Sequence, residues 1–289
     1  MPRYANAEEL IDAKGRLVAR HGPWTTPVDL GFGVSACDRV SDPSGGTRLP
    51  RVLQLTSDVA GRPLEGVRIL DLASLEGMIS LPLARQGATV LGIEAREPNV
   101  ARAAFARDAW DLPNLEFLTD DVRNLSRDVH GSWEIVLCLG ILYHLPAPDV
   151  FDFIGRVFEV TGRAAILDTH VAGSVERELL GPPVTHRYRG HVYRGRDYRE
   201  FDPQSRPEDR LRSAWSSLDG RPSFWPTRGS LLNLVADAGF TSIGEARMPV
   251  WRNMPADRIT LVAFKGTPVD AATPERFAED DTPTADSAG

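Results

Sequence analysis

Apolar residues recur at Leu10, Ile11, Leu17 and Val18, a helical spacing that ends at a glycine. A Pro-, Gly- and Ser-rich stretch from Pro23 to Pro50 then reads as extended loop, with a short helix near 51–59. From there the pattern alternates. Runs of strand length and strand composition fall at 67–71, 89–94, 115–118, 135–139, 164–168, 243–247 and 259–264, with helical segments between most of them. The first five of these seven strands predict a mostly parallel, doubly wound α/β sheet. The polar, acidic, Pro- and Ala-rich end of the chain, 266–289, is expected to be a disordered tail.

Composition narrows the class. A chain of 289 residues that is 42% hydrophobic can bury one substantial core, and we read one domain, 61–265, preceded by a 1–60 extension and interrupted by an insert at 172–228. The net charge of −7 argues against a nucleic-acid or anionic-membrane partner. Cys37 and Cys138 lie far apart without metal-ligand spacing, so neither a disulfide framework nor a zinc site is expected. The N-terminus has no apolar signal core and no stretch is long enough to span a bilayer, which predicts a cytoplasmic protein.

In an open α/β sheet, ligands bind beyond the carboxyl ends of the strands. The first strand runs into "ILDLASLEG", which offers only Gly77 where a dinucleotide site would require G-x-G-x-x-G. The turn resembles instead the first motif of class I S-adenosylmethionine (SAM)-dependent methyltransferases, an acid followed by G-x-G-x-G. Asp71 matches the acid and Gly77 the last glycine, while Ala73 and Leu75 replace the first two. Glu94 closes the second strand 23 positions after Asp71, where a carboxylate can accept from both ribose hydroxyls. "FLTDDVRNL" closes the third strand, with Asp121 matching the residue that accepts from the adenine amino group and Asp120 its rival by one register step. "WEIVLCLGILYHL" closes the fourth and is similar to the fourth motif of the family. The resemblance implies a Rossmann-like, seven-stranded fold and a SAM site built from Asp71, Ala73, Gly77, Glu94, Asp121, Val122 and Leu139.

Longer segments, including "LCLGILYHLPAP", "ILDTHV" and "SFWPTRGSLLNLVADAGF", resemble a bacterial group that includes sugar O-methyltransferases, among them the mycobacterial 1-O-methyltransferases of methylmannose polysaccharide synthesis. The likeness covers roughly residues 24–265. It implies methyl transfer to a hydroxyl of a sugar, oligosaccharide or other small acceptor, and leaves room for a homodimer. Enzymes that carboxymethylate the tRNA wobble uridine share the "LYH" turn and a similar "PT…SL…GF" segment, which keeps a tRNA-modifying transferase as the alternative. A SAM-binding module without catalysis is the third reading.

Methyl transfer from a sulfonium is an in-line displacement in which a neutral hydroxyl must lose its proton. His144 follows the fourth strand and His170 the fifth, and either imidazole can accept a proton at neutral pH. The other histidines lack such an anchor, and His130 in "DVHGSW" is expected on a surface turn. Asp168 and His170, two apart on a strand, point to one side and make Asp168 a candidate ligand for a divalent metal such as Mg²⁺. Between His186 and Arg212 the aromatics Tyr188, Tyr193, Tyr198 and Phe201 interleave with arginines, which predicts a lid over the acceptor using Tyr193, Arg196 and Tyr198. A solvated hairpin is the alternative for that stretch. Trp225 is a pocket wall or core, and Thr227 caps the next helix.

Overall fold

The computed structural model describes residues 3–37, 46–173, 180–269 and 276–277. Among the described residues, ten strands form two sheets. The larger has the order β3-β2-β1-β4-β5-β10-β9, made of β1 (Arg68–Leu72), β2 (Thr89–Glu94), β3 (Leu115–Thr119), β4 (Trp133–Leu139), β5 (Thr161–His170), β9 (Ser242–Glu245) and β10 (Arg258–Phe264). Its first five strands follow the doubly wound order 3-2-1-4-5, which places the switch point beside β1. All seven strands expected from the hydrophobic pattern are present. Among the described residues no helix is long and apolar enough to cross a membrane.

The chain divides into two compact units. The first comprises 1–125, 133–138 and 247–254. Here β1 pairs in parallel with β2 on one side and β4 on the other, and β2 with β3. Buried Ile69, Leu70, Leu72, Val90 and Ile93 fill the interior. The N-terminal helix α1 (Ala7–His21) begins at a reciprocal cap, in which Asn6 accepts from the Glu9 N–H and Glu9 from the Ala5 N–H, and it ends at Gly22 in a positive-φ conformation. Helix α2 (Arg48–Ala60) buries Val52, Leu55 and Val59 and receives the 247–254 segment through its buried Arg51, whose guanidinium bonds the Arg247 and Pro249 carbonyls.

The second unit comprises 126–132, 139–246 and 255–289. In it β10 runs antiparallel to both β5 and β9, with Arg258 opposite His170 and Thr260 opposite Asp168. Helix α6 (Asp149–Val160) packs its buried face of Val150, Phe151, Phe153, Ile154 and Val157 inward, and α8 (Arg228–Asp237) starts at Thr227, which accepts from the Ser230 N–H.

The insert is not an open lid loop. It is a three-stranded antiparallel sheet, β6 (Leu180–Tyr188), β7 (His191–Tyr198) and β8 (Ser223–Pro226), in the order β6-β7-β8. Arg189 and Gly190 turn the first hairpin with φ of 48° and 84°, the doubly positive pattern of a type I′ turn. His130 likewise differs from expectation: it is 6% exposed in the short helix α5 (Arg127–His130), its Nδ1 accepting from the Ser126 N–H. Of the acidic end, Arg276 bonds Asp237 and Phe277 exchanges hydrogen bonds with Asn233, while 270–275 and 278–289 lie outside the described residues.

Candidate active site

In the first unit the turn after β1 carries three left-handed residues, Ala73, Leu75 and Gly77, with φ of 56°, 50° and 81°. These are the three positions that the sequence resemblance aligns with the glycines of G-x-G-x-G. The conformation that glycine adopts freely is therefore imposed on Ala73 and Leu75 at roughly 1–2 kcal/mol each. Hydrogen bonds hold it: the Ser74 N–H donates to the Ile93 carbonyl at 3.0 Å and the Leu75 N–H to Glu94 Oε2 at 3.1 Å. Gly77 is required for space as well, because a Cβ there would lie 2.9 Å from the Phe117 ring.

Asp71 is 2% exposed and accepts from Ser80 Oγ at 2.6 Å. Burial pushes its carboxyl up to about 6, with the Ser80 bond pulling the other way. A carboxyl whose folded value exceeds its unfolded one is most stabilising when protonated. Between about pH 4 and 6 the unfolded chain ionises before the folded one does, so stability falls as pH rises, by roughly 3 kcal/mol for a two-unit shift. Asp71→Asn is expected to remove that slope, and urea unfolding of both proteins at pH 4 and pH 7 measures it. Equal losses of stability in the two proteins across that interval would refute the assignment.

Glu94 is also 2% exposed, and Oε1 accepts from the Arg96 N–H at 2.9 Å and the Asn99 amide at 3.3 Å. Burial raises its carboxyl, opposed by the Arg96 and Leu75 donors. Those two donors fill the lone pairs of Oε1, whereas Oε2, which accepts from the Leu75 N–H, keeps a second lone pair for a hydroxyl. Asp121 caps the 3₁₀ turn Val122–Asn124 and is gripped by Arg123 at 2.6–3.1 Å. Its rival Asp120 accepts from the Asp121 N–H and the Asn124 amide, a turn-stabilising role. Val122 is buried, and Leu139 ends β4 at 8% exposure.

Glu76 had no sequence signal, yet it is fully buried inside the motif turn. It accepts from the backbone and hydroxyls of Thr25 and Thr26 and lies 2.9 Å from Arg102 Nε. Arg102 in turn bonds the His21 carbonyl at 2.6 Å and the Asn99 side chain. The N-terminal segment, the glycine-motif turn and Glu94 are thus one hydrogen-bonded network.

The second unit gathers the candidate proton acceptors. Tyr143 lies between the two imidazoles, its ring 4.3 Å from that of His144 and 4.7 Å from that of His170. His170 Nδ1 is 3.1 Å from Asp257 Oδ1, and its Nε2 faces Arg258 Nη1 at 3.4 Å. Since guanidinium only donates, the His170 lone pair is already engaged. His144 Nδ1 lies 2.8 Å from Glu200 Oε1, and among the described residues no donor bonds its Nε2.

The expected acceptor residues separate. Tyr198 and Trp225 join this cluster, Trp225 stacking on His170 at 4.9 Å and on Tyr198 at 4.4 Å while its indole N–H donates to the Tyr143 carbonyl. At 2% exposure Trp225 supports the cluster from within. Tyr193 is elsewhere: 1% exposed, stacked on Phe151 and bonded to Asp237, it is a core residue and no lid contact. Arg196 reaches the Gly181 carbonyl at 3.4 Å and braces the hairpin. Asp168 is corrected too, since Arg258 occupies Oδ1 and Thr260 Oγ1 donates to Oδ2 at 2.9 Å. Among the described residues no three His, Cys, Asp or Glu side chains gather as a metal centre.

The mixed seven-stranded sheet with its flanking helices fits the Rossmann-like α/β methyltransferase fold. Residues 69–163 match the methyltransferase-domain family. The ubiquinone biosynthesis O-methyltransferase of Paramagnetospirillum magneticum is 35% identical over 95 residues, 33% of this chain and 36% of that protein. That of Maricaulis maris is 32% identical over 90 residues, 31% and 35% of the two chains. The chain thus spans about a third of the length of the curated relatives it matches. Among solved structures, the N-terminal domain of EvdMO1, determined with SAH and D-fucose, is similar with a TM-score of 0.66 at 24% identity, covering 91% of this chain and all of that one. SAM-bound magnesium protoporphyrin IX methyltransferase from Synechocystis PCC 6803 has a TM-score of 0.50 at 18% identity, covering 91% of this chain and 100% of that one.

Proposed function

We propose that the protein transfers the methyl group of SAM to a hydroxyl oxygen of a small acceptor, with His144 receiving the hydroxyl proton. The observation that carries this reading is the contrast between the two strand-end imidazoles: His170 has both nitrogens engaged, while among the described residues none bonds Nε2 of His144. SAM, when bound, supplies the electrophilic methyl group. The residues present suit it, because Asp71 is a buried carboxyl lacking enough positive charge to stay ionised easily, which a cationic ligand would provide, and Glu94 retains a lone pair on Oε2 for a ribose hydroxyl.

A saccharide hydroxyl is the acceptor we favour. Tyr198, half-buried and stacked on Trp225, adds an aromatic ring to the histidine cluster, a chemistry that suits the apolar side of a sugar ring, and the similar EvdMO1 domain was determined with D-fucose. A phenolic hydroxyl is the second reading, favoured by the identity shared with ubiquinone biosynthesis O-methyltransferases. The deciding assay incubates the protein with methyl-tritiated SAM and separate pools of mannosides, nucleotide sugars, catechols and transfer RNA, with mass spectrometry of any labelled product. Label in an O-methyl sugar is the expected result. Label confined to catechols or to RNA would replace the acceptor class, and SAM binding without label in any pool would leave a binding module.

A further inference from the structure

The insert grips the turn that carries His144. Three consecutive carbonyls of that turn accept from it: Tyr143 from the Trp225 indole at 2.9 Å, His144 from Ser217 Oγ at 3.1 Å, and Leu145 from the Phe224 N–H at 2.9 Å. The same segment supplies Glu200, whose Oε1 lies 2.8 Å from the buried His144 Nδ1, a close charge contact without the alignment of a hydrogen bond. Its Oε2 accepts from the Ser217 N–H at 2.6 Å, so Glu200, Ser217 and His144 close a ring of contacts. Side-chain exposures of 10% and 14% keep His144 and Glu200 largely out of water.

We propose that Glu200 is the positioning residue for His144, making the insert part of the catalytic apparatus and not only a wall of the acceptor site. A carboxylate beside Nδ1 favours the neutral tautomer that carries its proton there, which leaves the Nε2 lone pair to take a proton. It also stabilises the imidazolium formed when that proton arrives, as the orienting carboxylate of a catalytic triad does. The proposal rests on the base reading of His144. In that step the acceptor oxygen bonds the methyl carbon as the carbon–sulfur bond breaks, S-adenosylhomocysteine leaves, and the hydroxyl proton moves to Nε2. Other groups near the imidazole are the Tyr143 phenol on its own turn and, across Tyr143, His170 and Arg258.

The test combines kinetics with a direct reading of the tautomer. Glu200→Gln, nearly isosteric, and Glu200→Ala are expected to lower kcat about 10- to 100-fold, with SAM affinity and melting temperature close to wild type, while Glu200→Asp recovers part of the loss. Nitrogen-15 NMR of the histidine-labelled protein without substrate should show His144 as the Nδ1–H tautomer, shifting towards the Nε2–H form in Glu200→Gln. Should His144→Ala abolish activity while both Glu200 variants retain kcat within twofold and the tautomer is unchanged, the Glu200 assignment is wrong and the base assignment survives. If His144→Ala is itself active, the base reading fails first. A Glu200→Ala loss accompanied by a fall in melting temperature, with Glu200→Gln fully active, would make the residue a structural brace and overturn the proposal.

Discussion

Glu76→Ala is expected to destabilise the protein by about 3–5 kcal/mol, the usual result of removing one partner from a buried ion pair and stranding the other. The stranded group is Arg102, whose guanidinium is 7% exposed and pairs with a carboxylate that has no exposure at all. The backbone donors of Thr25 and Thr26 lose their acceptor as well. For a chain of this size the loss corresponds to a drop in melting temperature on the order of 10 °C. Because Glu76 stands between left-handed Leu75 and Gly77, the turn should loosen with it. SAM affinity measured by calorimetry below the new melting point is expected to fall at least tenfold. Glu76→Gln, which keeps an acceptor for the threonines and gives up the charge, should fall between the two. An alanine variant melting within about 2 °C of wild type, with unchanged SAM affinity, would show that the network is not holding the turn.

Strands of the large sheet were legible because each is a short apolar run bounded by turn residues, and period and composition are local properties. The strand-end acids Asp71 and Glu94 were legible for the same reason, by their spacing along one strand–turn–helix–strand unit. What escaped the sequence was set by pairing across distance. Arg258 meets Asp168 and His170 only because β10 returns antiparallel to β5, and nothing near Arg258 in the chain announces that register. Tyr193 was misread because an Arg/Tyr alternation describes a half-buried strand as well as a lid; its hydroxyl is satisfied by Asp237, 44 residues on. The insert hairpin, the alternative to a lid in the sequence, took second place because its Arg-Gly turn is less familiar than Asn-Gly, though it meets the same dihedral requirement. Glu76 looked like one more charge in a loop. Its burial depends on Thr25 and Arg102, 51 residues before and 26 after it.

His144→Ala is expected to cut kcat by 10²–10⁴-fold, the usual range for a positioned proton acceptor. The loss should appear in kcat and in kcat/KM for the acceptor to the same degree, since the proton moves only as the transition state forms. SAM binding should be preserved, because the groups assigned to SAM through Glu94 lie in the first unit and His144 in the second. Removing the ring also takes away an aromatic contact with Tyr143, so a modest drop in melting temperature is expected without loss of fold. His170→Ala is the informative companion. Its imidazole is held by Asp257 and Arg258 and stacks on Trp225, which assigns it to support of the cluster. That variant should lose stability and show a smaller, mixed effect on KM and kcat. The reverse pattern, with His144→Ala within a few-fold of wild type and His170→Ala down by a factor of 10² or more at unchanged melting temperature, would move the proton acceptor to the end of β5. It would also require Arg258 to release Nε2 before each turnover, because a lone pair occupied by a guanidinium donor cannot accept the hydroxyl proton.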